Sequence, residues 1–242
     1  MVRAAAVLGL LAALAVYYAV SERLPDLSLW AEVTFLAVVL LPAAFLLIWL
    51  VLPLWRAGSW RLGWAVAALA ALTTVLELLD LDVAANFTKF AAVTAAGWWF
   101  LGFFEAASWV LLVALLIVPV DILSVERGPT KHIVEEQPQI FDLLSIGFPI
   151  PGEHASAQLG LPDILFFALF LGAAVRFGLR AGPTWAAMVL SFGVTLALAV
   201  WLNVGGLAAL PLLSAAFVLA NADLLWRSFR SRREENPGPP PE

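Results

Sequence analysis

The stretch that decides the fold is residues 29–53, LWAEVTFLAVVLLPAAFLLIWLVLP, in which Glu32 is the only charged residue. The hydrocarbon core of a bilayer is about 30 Å thick, and a helix that rises about 1.5 Å per residue crosses it in roughly 20 residues. Inside lipid no water satisfies the backbone, so such a segment must form its hydrogen bonds internally. Residues 29–53 are therefore predicted to form a transmembrane helix.

Further apolar runs of similar length span residues 4–20, 62–79, 84–102, 104–125, 160–178, 184–203 and 206–226. Glycine and proline separate several of them, as in Gly182-Pro183. Hydrophobic residues make up 63% and charged residues 13% of the chain, with a mean hydropathy of +0.95. A soluble domain is about half apolar and about a quarter charged. The sequence therefore predicts an all-α fold, a polytopic transmembrane helical bundle with about eight spans.

The chain divides into three parts. Residues 1–103 contain the first four predicted helices, and residues 104–226 contain the last four together with the long loop 126–159. Residues 227–242 end in Asn236-Pro-Gly-Pro-Pro-Pro-Glu242 and are predicted to be a disordered tail, because this composition cannot bury enough apolar surface. The first run also resembles a signal-peptide core, but no clear small-residue cleavage site follows Ala19, so its cleavage is left open.

Composition excludes several kinds of site. The chain has no cysteine, which rules out disulfides, thiol catalysis, iron–sulfur clusters and cysteine zinc sites. His132 and His154 are too few and too far apart for a histidine metal cage, so we expect no metal site. We expect no organic cofactor either. The one basic cluster runs from Arg227 to Arg233, and it favours a topology signal over nucleic-acid binding. The bilayer is the expected environment.

Arginine and lysine predict the orientation in that bilayer. With eight spans, one side receives Arg3, Arg56, Arg61, Arg176, Arg180, Arg227, Arg230, Arg232 and Arg233, and the other receives Arg23, Lys89, Arg127 and Lys131. Basic residues accumulate on the cytoplasmic side of membrane proteins. Both termini are therefore predicted to be cytoplasmic, with loop 126–159 outside.

Two acidic residues lie inside predicted helices. Asp121 is about four residues before one helix ends, and Asp163 is about three residues after the next begins. An ionisable group near the bilayer centre costs about 2.5–3.5 kcal/mol on insertion scales, so its presence needs a reason. Since the first helix leaves the membrane where the second enters it, both carboxyls are predicted at a similar depth, on the order of 5–6 Å below one face.

Two carboxyls in a medium of low dielectric constant share one proton, because both cannot ionise cheaply. In aspartic proteases the ionised member activates a water molecule while the protonated member polarises the scissile carbonyl. Spacing alone nevertheless favours a simpler interpretation, since aspartates at helix ends are common caps. A family resemblance reverses that preference.

Three segments carry the resemblance. The first runs from Phe104-Glu-Ala-Ala-Ser-Trp109 through Asp121 to Gly128-Pro-Thr-Lys-His-Ile-Val-Glu135. The second is Leu159-Gly-Leu-Pro-Asp163, and the third is Leu207-Ala-Ala-Leu-Pro-Leu-Leu-Ser214. They resemble, in order, the sixth helix and following segment of presenilins, the Gly-x-Gly-Asp motif of presenilins and signal peptide peptidases, and the Pro-Ala-Leu segment of that family. The resemblance extends over residues 104–226.

The resemblance implies a presenilin-like fold and an intramembrane aspartyl protease of prokaryotic type in the cell membrane, with Asp121 and Asp163 as its catalytic residues. Its substrates would be transmembrane or signal-peptide helices. The residues implied to position substrate belong to the second and third segments: Gly160, Leu161, Pro162, Ala208, Ala209, Leu210 and Pro211. The predicted orientation is that of signal peptide peptidases, so substrate helices are expected to have their N-termini inside.

Three positions depart from the family pattern. Val120 replaces the tyrosine before the first aspartate, Pro162 replaces the second glycine of Gly-x-Gly-Asp, and Ala208 replaces the proline of Pro-Ala-Leu. Proline lacks an amide donor but suits the first turn of a helix. The departures keep open an inactive family member that acts as a membrane scaffold or helix-binding protein. A transporter is a weaker alternative, because transporters place ionisable groups near the midplane between repeats.

The long loop contains one further candidate binding element. Residues 137–151 include Ile140-Phe-Asp-Leu-Leu-Ser-Ile146, which predicts either an exposed strand or an amphipathic segment on the membrane surface. An exposed strand edge would bind an unwound substrate by strand addition. The two interpretations stay open on the sequence alone.

Overall fold

Helices account for most of the molecule. The computed structural model describes residues 2–126, 143–204 and 207–235 of the chain. The α-helices are α1 (Val2–Val20), α2 (Leu29–Phe35), α3 (Leu41–Val51), α4 (Ser59–Leu78), α5 (Asp82–Leu101), α6 (Ala107–Glu126), α7 (Leu161–Arg176), α8 (Ala181–Trp201) and α9 (Leu210–Glu235). Each predicted apolar run coincides with one helix or with the α2–α3 pair, so the predicted helical bundle is confirmed.

Helices α2 and α3 form one continuous rod. A π-helical turn, Leu36–Leu40, joins them, and a 3₁₀ segment, Leu52–Ala57, follows α3. Pro42, at the start of α3, has no N–H to donate to a preceding carbonyl, which disrupts the regular α-helical ladder. The wider turn absorbs this defect, since the Leu41 N–H donates to the Leu36 carbonyl five residues earlier.

Fewer helices have the length and hydropathy of a membrane span than the eight that the sequence predicted. Among the described residues, six helices are long and apolar enough to cross a membrane: Val2–Arg23, Leu29–Ala57, Ser59–Leu78, Ala107–Ser124, Ala181–Trp201 and Leu210–Arg227. Helices α5 and α7 are outside this set, and α7 has only 16 residues. These two helices pack closely on each other. A helix enclosed by protein presents little surface to lipid, so it tolerates a shorter or more polar sequence.

The hydrophobic core surrounds α7. Its residues from Phe167 to Ala174 are all buried. The Phe167 ring lies 4.2 Å from that of Phe45 in α3, which stacks at 4.9 Å on Phe192 in α8. On another side of α7, Phe170 stacks at 4.7 Å on Phe217 in α9. Aromatic pairs at these separations add stabilisation beyond the area that they bury, and here they attach α3, α8 and α9 to one central helix.

A β-hairpin precedes α7 and adds a small sheet to the predicted all-helical fold. Strand β1 (Ser145–Pro149) pairs antiparallel with β2 (Ser156–Gly160), with Phe148 opposite Ala157. β2 leads directly into α7, which begins at Leu161. The first part of the candidate segment 137–151, residues 137–142, lies outside the described residues, and so does most of the loop that joins α6 to the hairpin.

The C-terminal prediction is wrong for residues 227–235. They were expected to be a disordered tail, but α9 continues through them to Glu235. Extending an existing helix requires ordering only one residue per added hydrogen bond, so a polar continuation forms more easily than a new helix. The first strong helix breaker in the tail is Pro237. Residues 236–242 lie outside the described part of the chain.

The α7–α8 turn is joined to α9 by a buried asparagine. The Nδ2 group of Asn221 donates to Thr184 Oγ1 at 2.7 Å and to the Phe217 carbonyl at 2.9 Å. Its Oδ1 atom accepts the backbone N–H of Arg180 at 2.9 Å. Asn221 has no exposed surface, so water cannot replace these partners without opening the structure.

We expect Asn221→Ala to lower the free energy of unfolding by about 2–3 kcal/mol, because it leaves buried donors and acceptors unsatisfied. Ser214→Ala is the matched control on the same helix, since the Ser214 hydroxyl is buried and has no hydrogen-bond partner among the described residues. Its loss should be neutral or stabilising. Thermal unfolding in detergent measures both. An equal destabilisation by the two changes would contradict this prediction.

Candidate active site

Asp121 lies in the last two turns of α6 and contacts the start of α9. Its side chain is half-buried. Its Oδ2 atom accepts the backbone N–H of Leu210, the first residue of α9, at 3.1 Å. The first N–H groups of a helix have no partner within the helix, so the carboxylate satisfies one of them. This contact joins two residues that are far apart in the sequence, one from the first and one from the third segment of the resemblance.

Asp163 is the third residue of α7 and is also half-buried. It lies beside Gly160, the residue that precedes the helix and has an extended backbone. A β-carbon added at Gly160 would be 3.1 Å from Asp163 Oδ2. The carboxyl therefore occupies the space that a side chain at position 160 would need.

The two carboxyls lie at the same end of the bundle. Asp121 is near the end of α6, Asp163 is in the first turn of α7, and α6 contacts both α7 and α9. The last turns of α6, the first turn of α7 and the first turn of α9 meet there, with Leu210 bound to Asp121. The structure thus places the two predicted catalytic residues at one end of the bundle, on helices that contact each other.

The remaining residues of the second segment build the entry into α7. The Leu161 N–H donates to the Leu144 carbonyl at 3.0 Å, which continues the hairpin ladder up to the helix. Pro162 lies in the first turn of α7 and is exposed. Its missing N–H costs nothing there, because the first N–H groups of a helix need no internal partner. Pro162 begins the helix as expected for this position.

The third segment forms the entry into α9. Ala209 and Leu210 are buried, and Ala208 is half-buried. The Leu213 N–H donates to the Ala209 carbonyl at 3.1 Å, so Ala209 immediately precedes the helix. Pro211 is the second helical residue. Small side chains before the helix let its first turn approach α6 closely.

The outer edge of β1 is not free. The hydroxyl of Tyr18 and the amide of Asn86 donate to the Gly147 carbonyl at 2.9 and 3.0 Å. The Tyr17 hydroxyl donates to the Pro149 carbonyl at 2.7 Å. Side chains of α1 and α5 thus occupy the backbone acceptors that an added strand would use. Of the two interpretations left open for residues 137–151, the exposed strand does not hold for β1, which is largely buried.

Among the described residues, nothing is hydrogen-bonded to the outer edge of β2. Leu161 and Leu144 form a hydrogen-bonded pair, and such pairs alternate along an antiparallel ladder. The bonded residues of β2 are therefore Leu159 and Ala157, while the backbone groups of Ser156 and Gln158 point away from β1. This edge ends at Gly160, next to Asp163.

Sequence reasoning missed the residues that hold the hairpin. Tyr17 and Tyr18 are the only tyrosines of the chain, and they stand together near the end of α1. That pairing was the available signal, since buried tyrosine hydroxyls usually find a partner. Lys89 in α5 also faces the hairpin, and its Nζ atom lies 3.0 Å from a carboxylate oxygen of Glu77 and 3.4 Å from the Ser145 carbonyl.

Gly160→Ala is expected to lower the rate of any reaction at these carboxyls by about 10- to 100-fold, because displacing a reacting group by a fraction of an ångström to 1 Å is costly. The extended backbone at Gly160 accommodates alanine, so folding should be retained. Gly182→Ala is the control, since a β-carbon there would contact nothing within 4 Å. The readout is the turnover number; a rate equal to that of the control would refute the prediction.

His154 is exposed and lies 3.2 Å from Glu22 at the tip of the hairpin, whereas His132 lies outside the described residues. In the part of the chain that the structure describes, no group of three or more histidine and acidic side chains has an arrangement that would hold a metal ion.

Comparison with models of known protein families finds no match to this chain, and comparison with curated proteins finds no significant similarity.

Proposed function

We propose that the protein is an intramembrane aspartyl endopeptidase that hydrolyses peptide bonds in or near transmembrane segments or remnant signal peptides. Asp121 and Asp163 are its catalytic pair. The observation that supports this most strongly is the meeting of three segments at one end of the bundle. Asp121 accepts a hydrogen bond from the first amide of α9, and Asp163 lies in the first turn of α7 at the same end of the bundle.

The pair supplies both functions that peptide hydrolysis needs. Close carboxyls share one proton, so one is a carboxylate and the other an acid. The carboxylate removes a proton from water, which attacks the scissile carbonyl carbon, while the acid donates a hydrogen bond to the carbonyl oxygen. Collapse of the tetrahedral intermediate transfers a proton to the leaving nitrogen. No metal or organic cofactor is required.

Water reaches this pair more easily than it would reach the bilayer centre. Asp163 is only three residues beyond the end of β2, a rise of about 4–5 Å along the helix. Non-helical backbone at membrane depth is tolerated where it lines a watery cavity or is buried in protein. The hairpin directly before α7 fits that requirement.

Substrate is presented by the β2 edge. A peptide bond inside a helix is already hydrogen-bonded and hidden, so the substrate has to unwind before it is cut. The outward N–H and C=O groups of Ser156 and Gln158 offer a ladder for an extended peptide, which strand addition would guide towards Asp163. The entry of α9, Ala208–Pro211, lies on the Asp121 side of the same site.

Substrate helices reach the pair from the side. Helix α6 is mostly exposed on the bundle, and Val120, next to Asp121, is 63% exposed. In a bilayer this surface faces lipid or another helix. The small, apolar Val120, where the family pattern has tyrosine, leaves the approach to Asp121 open.

We place the pair at the outer face of the membrane and both termini in the cytoplasm. Arg3 at the start of α1 and Arg56 after α3 lie together at the end of the bundle opposite the aspartates, and basic residues favour the cytoplasmic side. In this orientation substrate helices enter with their N-termini inside.

A helix-binding scaffold without catalysis is the second candidate. The contact that favours it is the bond from the Leu210 N–H to Asp121, because a carboxylate that caps a helix has a structural reason to be there. A scaffold would use the same lipid-facing α6 surface to bind helices.

The decisive experiment is incubation of the purified, liposome-reconstituted protein with transmembrane peptides labelled at both ends. Mass spectrometry in ¹⁸O-water identifies products and confirms hydrolysis, because the new carboxyl carries the label. We expect cleavage within or at the edge of the apolar segment. Binding of these peptides without any cleavage would instead establish the scaffold.

A further inference from the structure

A basic cavity lies at the end of the bundle opposite the aspartates. It has a volume of about 320 Å³ and is lined by Arg3, Trp49, Leu52, Pro53, Trp55, Arg56 and Val175. This volume is within the range of roughly 300–1,000 Å³ that is usual for small-molecule sites. Val175 is twelve residues beyond Asp163 in α7, a distance of about 18 Å along the helix. The cavity is therefore separate from the candidate active site.

The polar side chains among the described residues that line this cavity are all hydrogen-bond donors. The guanidinium groups of Arg3 and Arg56 and the indole N–H groups of Trp49 and Trp55 provide them, and no aspartate or glutamate is among the lining residues. Arg56 lies over the Trp55 ring at 5.6 Å, a cation–π contact that restrains the guanidinium. Two positive charges on one cavity favour an anion with several acceptor oxygens.

These donors have no partner in the described residues, unlike others at the same end of the bundle. No hydrogen bond or ion pair joins Arg3, Arg56, Trp49 or Trp55 to a described residue. By contrast, Arg176 donates to the Leu101 carbonyl at 2.6 Å, and the Trp185 indole donates to the Phe45 carbonyl at 3.1 Å. Donors from α1, the end of α3 and the segment after it therefore line one cavity, where they are available to an acceptor from outside the protein.

We propose that this cavity binds the phosphate of an anionic phospholipid headgroup. Arginine forks match phosphate oxygens bidentately, and tryptophan indoles favour the headgroup level of the bilayer. The apolar part of the lining, Leu52, Pro53 and Val175, suits the glycerol and upper acyl chain, which a free phosphate ion lacks. Basic pockets between helices on the cytoplasmic side are where anionic lipids bind.

Three helices of the bundle would contact the bound lipid. Arg3 belongs to α1, Trp49 to α3 and Val175 to the end of α7, the central helix that carries Asp163 at its other end. A bound headgroup neutralises the repulsion between the two arginines and links these helices. Binding does not depend on whether the aspartates are catalytic.

The test is native mass spectrometry of the full chain, purified in detergent and titrated with phosphatidylglycerol, phosphatidylcholine or inorganic phosphate. We expect one tightly bound phosphatidylglycerol, weaker binding of phosphatidylcholine because its choline is repelled by the arginines, and no displacement by millimolar phosphate. The double variant Arg3→Gln, Arg56→Gln should weaken phosphatidylglycerol binding by about tenfold or more, since each arginine–phosphate contact is charge-assisted.

Arg61→Gln is the matched control, because Arg61 is exposed near the start of α4 and does not line the cavity. Its binding should equal that of wild type. The double variant Arg3→Lys, Arg56→Lys keeps the charge but loses the fork and should bind with intermediate affinity. An equal loss in Arg61→Gln, unchanged binding in the Gln double variant, or full displacement by inorganic phosphate would each overturn the proposal of a lipid site.

Discussion

Cleavage of a labelled transmembrane peptide is expected to fall to background in Asp121→Asn and in Asp163→Asn. Asparagine keeps the size of aspartate but carries neither the negative charge that activates water nor the acidic proton that polarises the carbonyl. We expect a loss on the order of 1,000-fold or more in either variant. The double variant should lose no more than each single one, because the two carboxyls act as a unit. Initial rates in matched liposomes measure this.

The asparagine variants also separate catalysis from capping. The amide oxygen introduced by Asp121→Asn still accepts the Leu210 N–H, whereas Asp121→Ala removes the acceptor. Thermal stability should therefore be unchanged in Asp121→Asn and lower by about 1 kcal/mol in Asp121→Ala. Asp26→Asn is the control for the chemical change, since Asp26 is an exposed acid outside the site. Wild-type rates in either of the two asparagine variants would eliminate the proposed mechanism.

Gly97→Ala is expected to destabilise the protein, because α5 and α7 approach each other closely at this residue. A β-carbon at Gly97 would be 2.5 Å from the Leu165 carbonyl oxygen and 3.0 Å from the β-carbon of Ala168. The first of these atoms belongs to the backbone of α7, so relief requires the two helices to separate. Overpacking of this kind costs about 1–3 kcal/mol, and it would also displace the helix that carries Asp163.

Gly9→Ala is the matched control in α1, since a β-carbon there would meet nothing within 4 Å. Alanine is favoured over glycine in a helix by about 0.5–1 kcal/mol, so this change should leave the unfolding midpoint unchanged or raise it. The same detergent unfolding assay compares the two variants. If Gly97→Ala were as stable as Gly9→Ala, the close approach of α5 and α7 would be refuted.

Most helix boundaries could be predicted from the sequence because the environment allows few alternatives. An apolar run in lipid must satisfy its own backbone, so its length and its flanking glycines, prolines and charges determine the helix. The prediction was wrong at 227–235, where the polar residues after the last apolar run continue α9 as a helix. The polar composition of that segment shows that it cannot form a hydrophobic core of its own. It does not show whether the segment can extend a helix that already exists.

Parts of the candidate site were also visible in the sequence. The positions of Asp121 and Asp163 near neighbouring helix ends predicted their similar depth, and the order of the three segments suggested that they act together. The hydrogen bond from Leu210 to Asp121 was not predictable, because it depends on how α9 packs along α6. The arginine cavity was likewise invisible, since its lining residues come from α1, the end of α3 and the end of α7.

The sequence by itself determined that this chain is a helical membrane protein with two carboxyls at one end, because apolar length and charge position are local properties. Only the tertiary structure decided that α5 and α7 pack on each other, that side chains of α1 and α5 cover the outer edge of β1, and that Arg3 and Arg56 line one cavity. Each of these depends on contacts between residues distant in the chain, such as the bonds from Tyr17 and Tyr18 to β1. Such contacts are a property of packing, which local patterns do not encode.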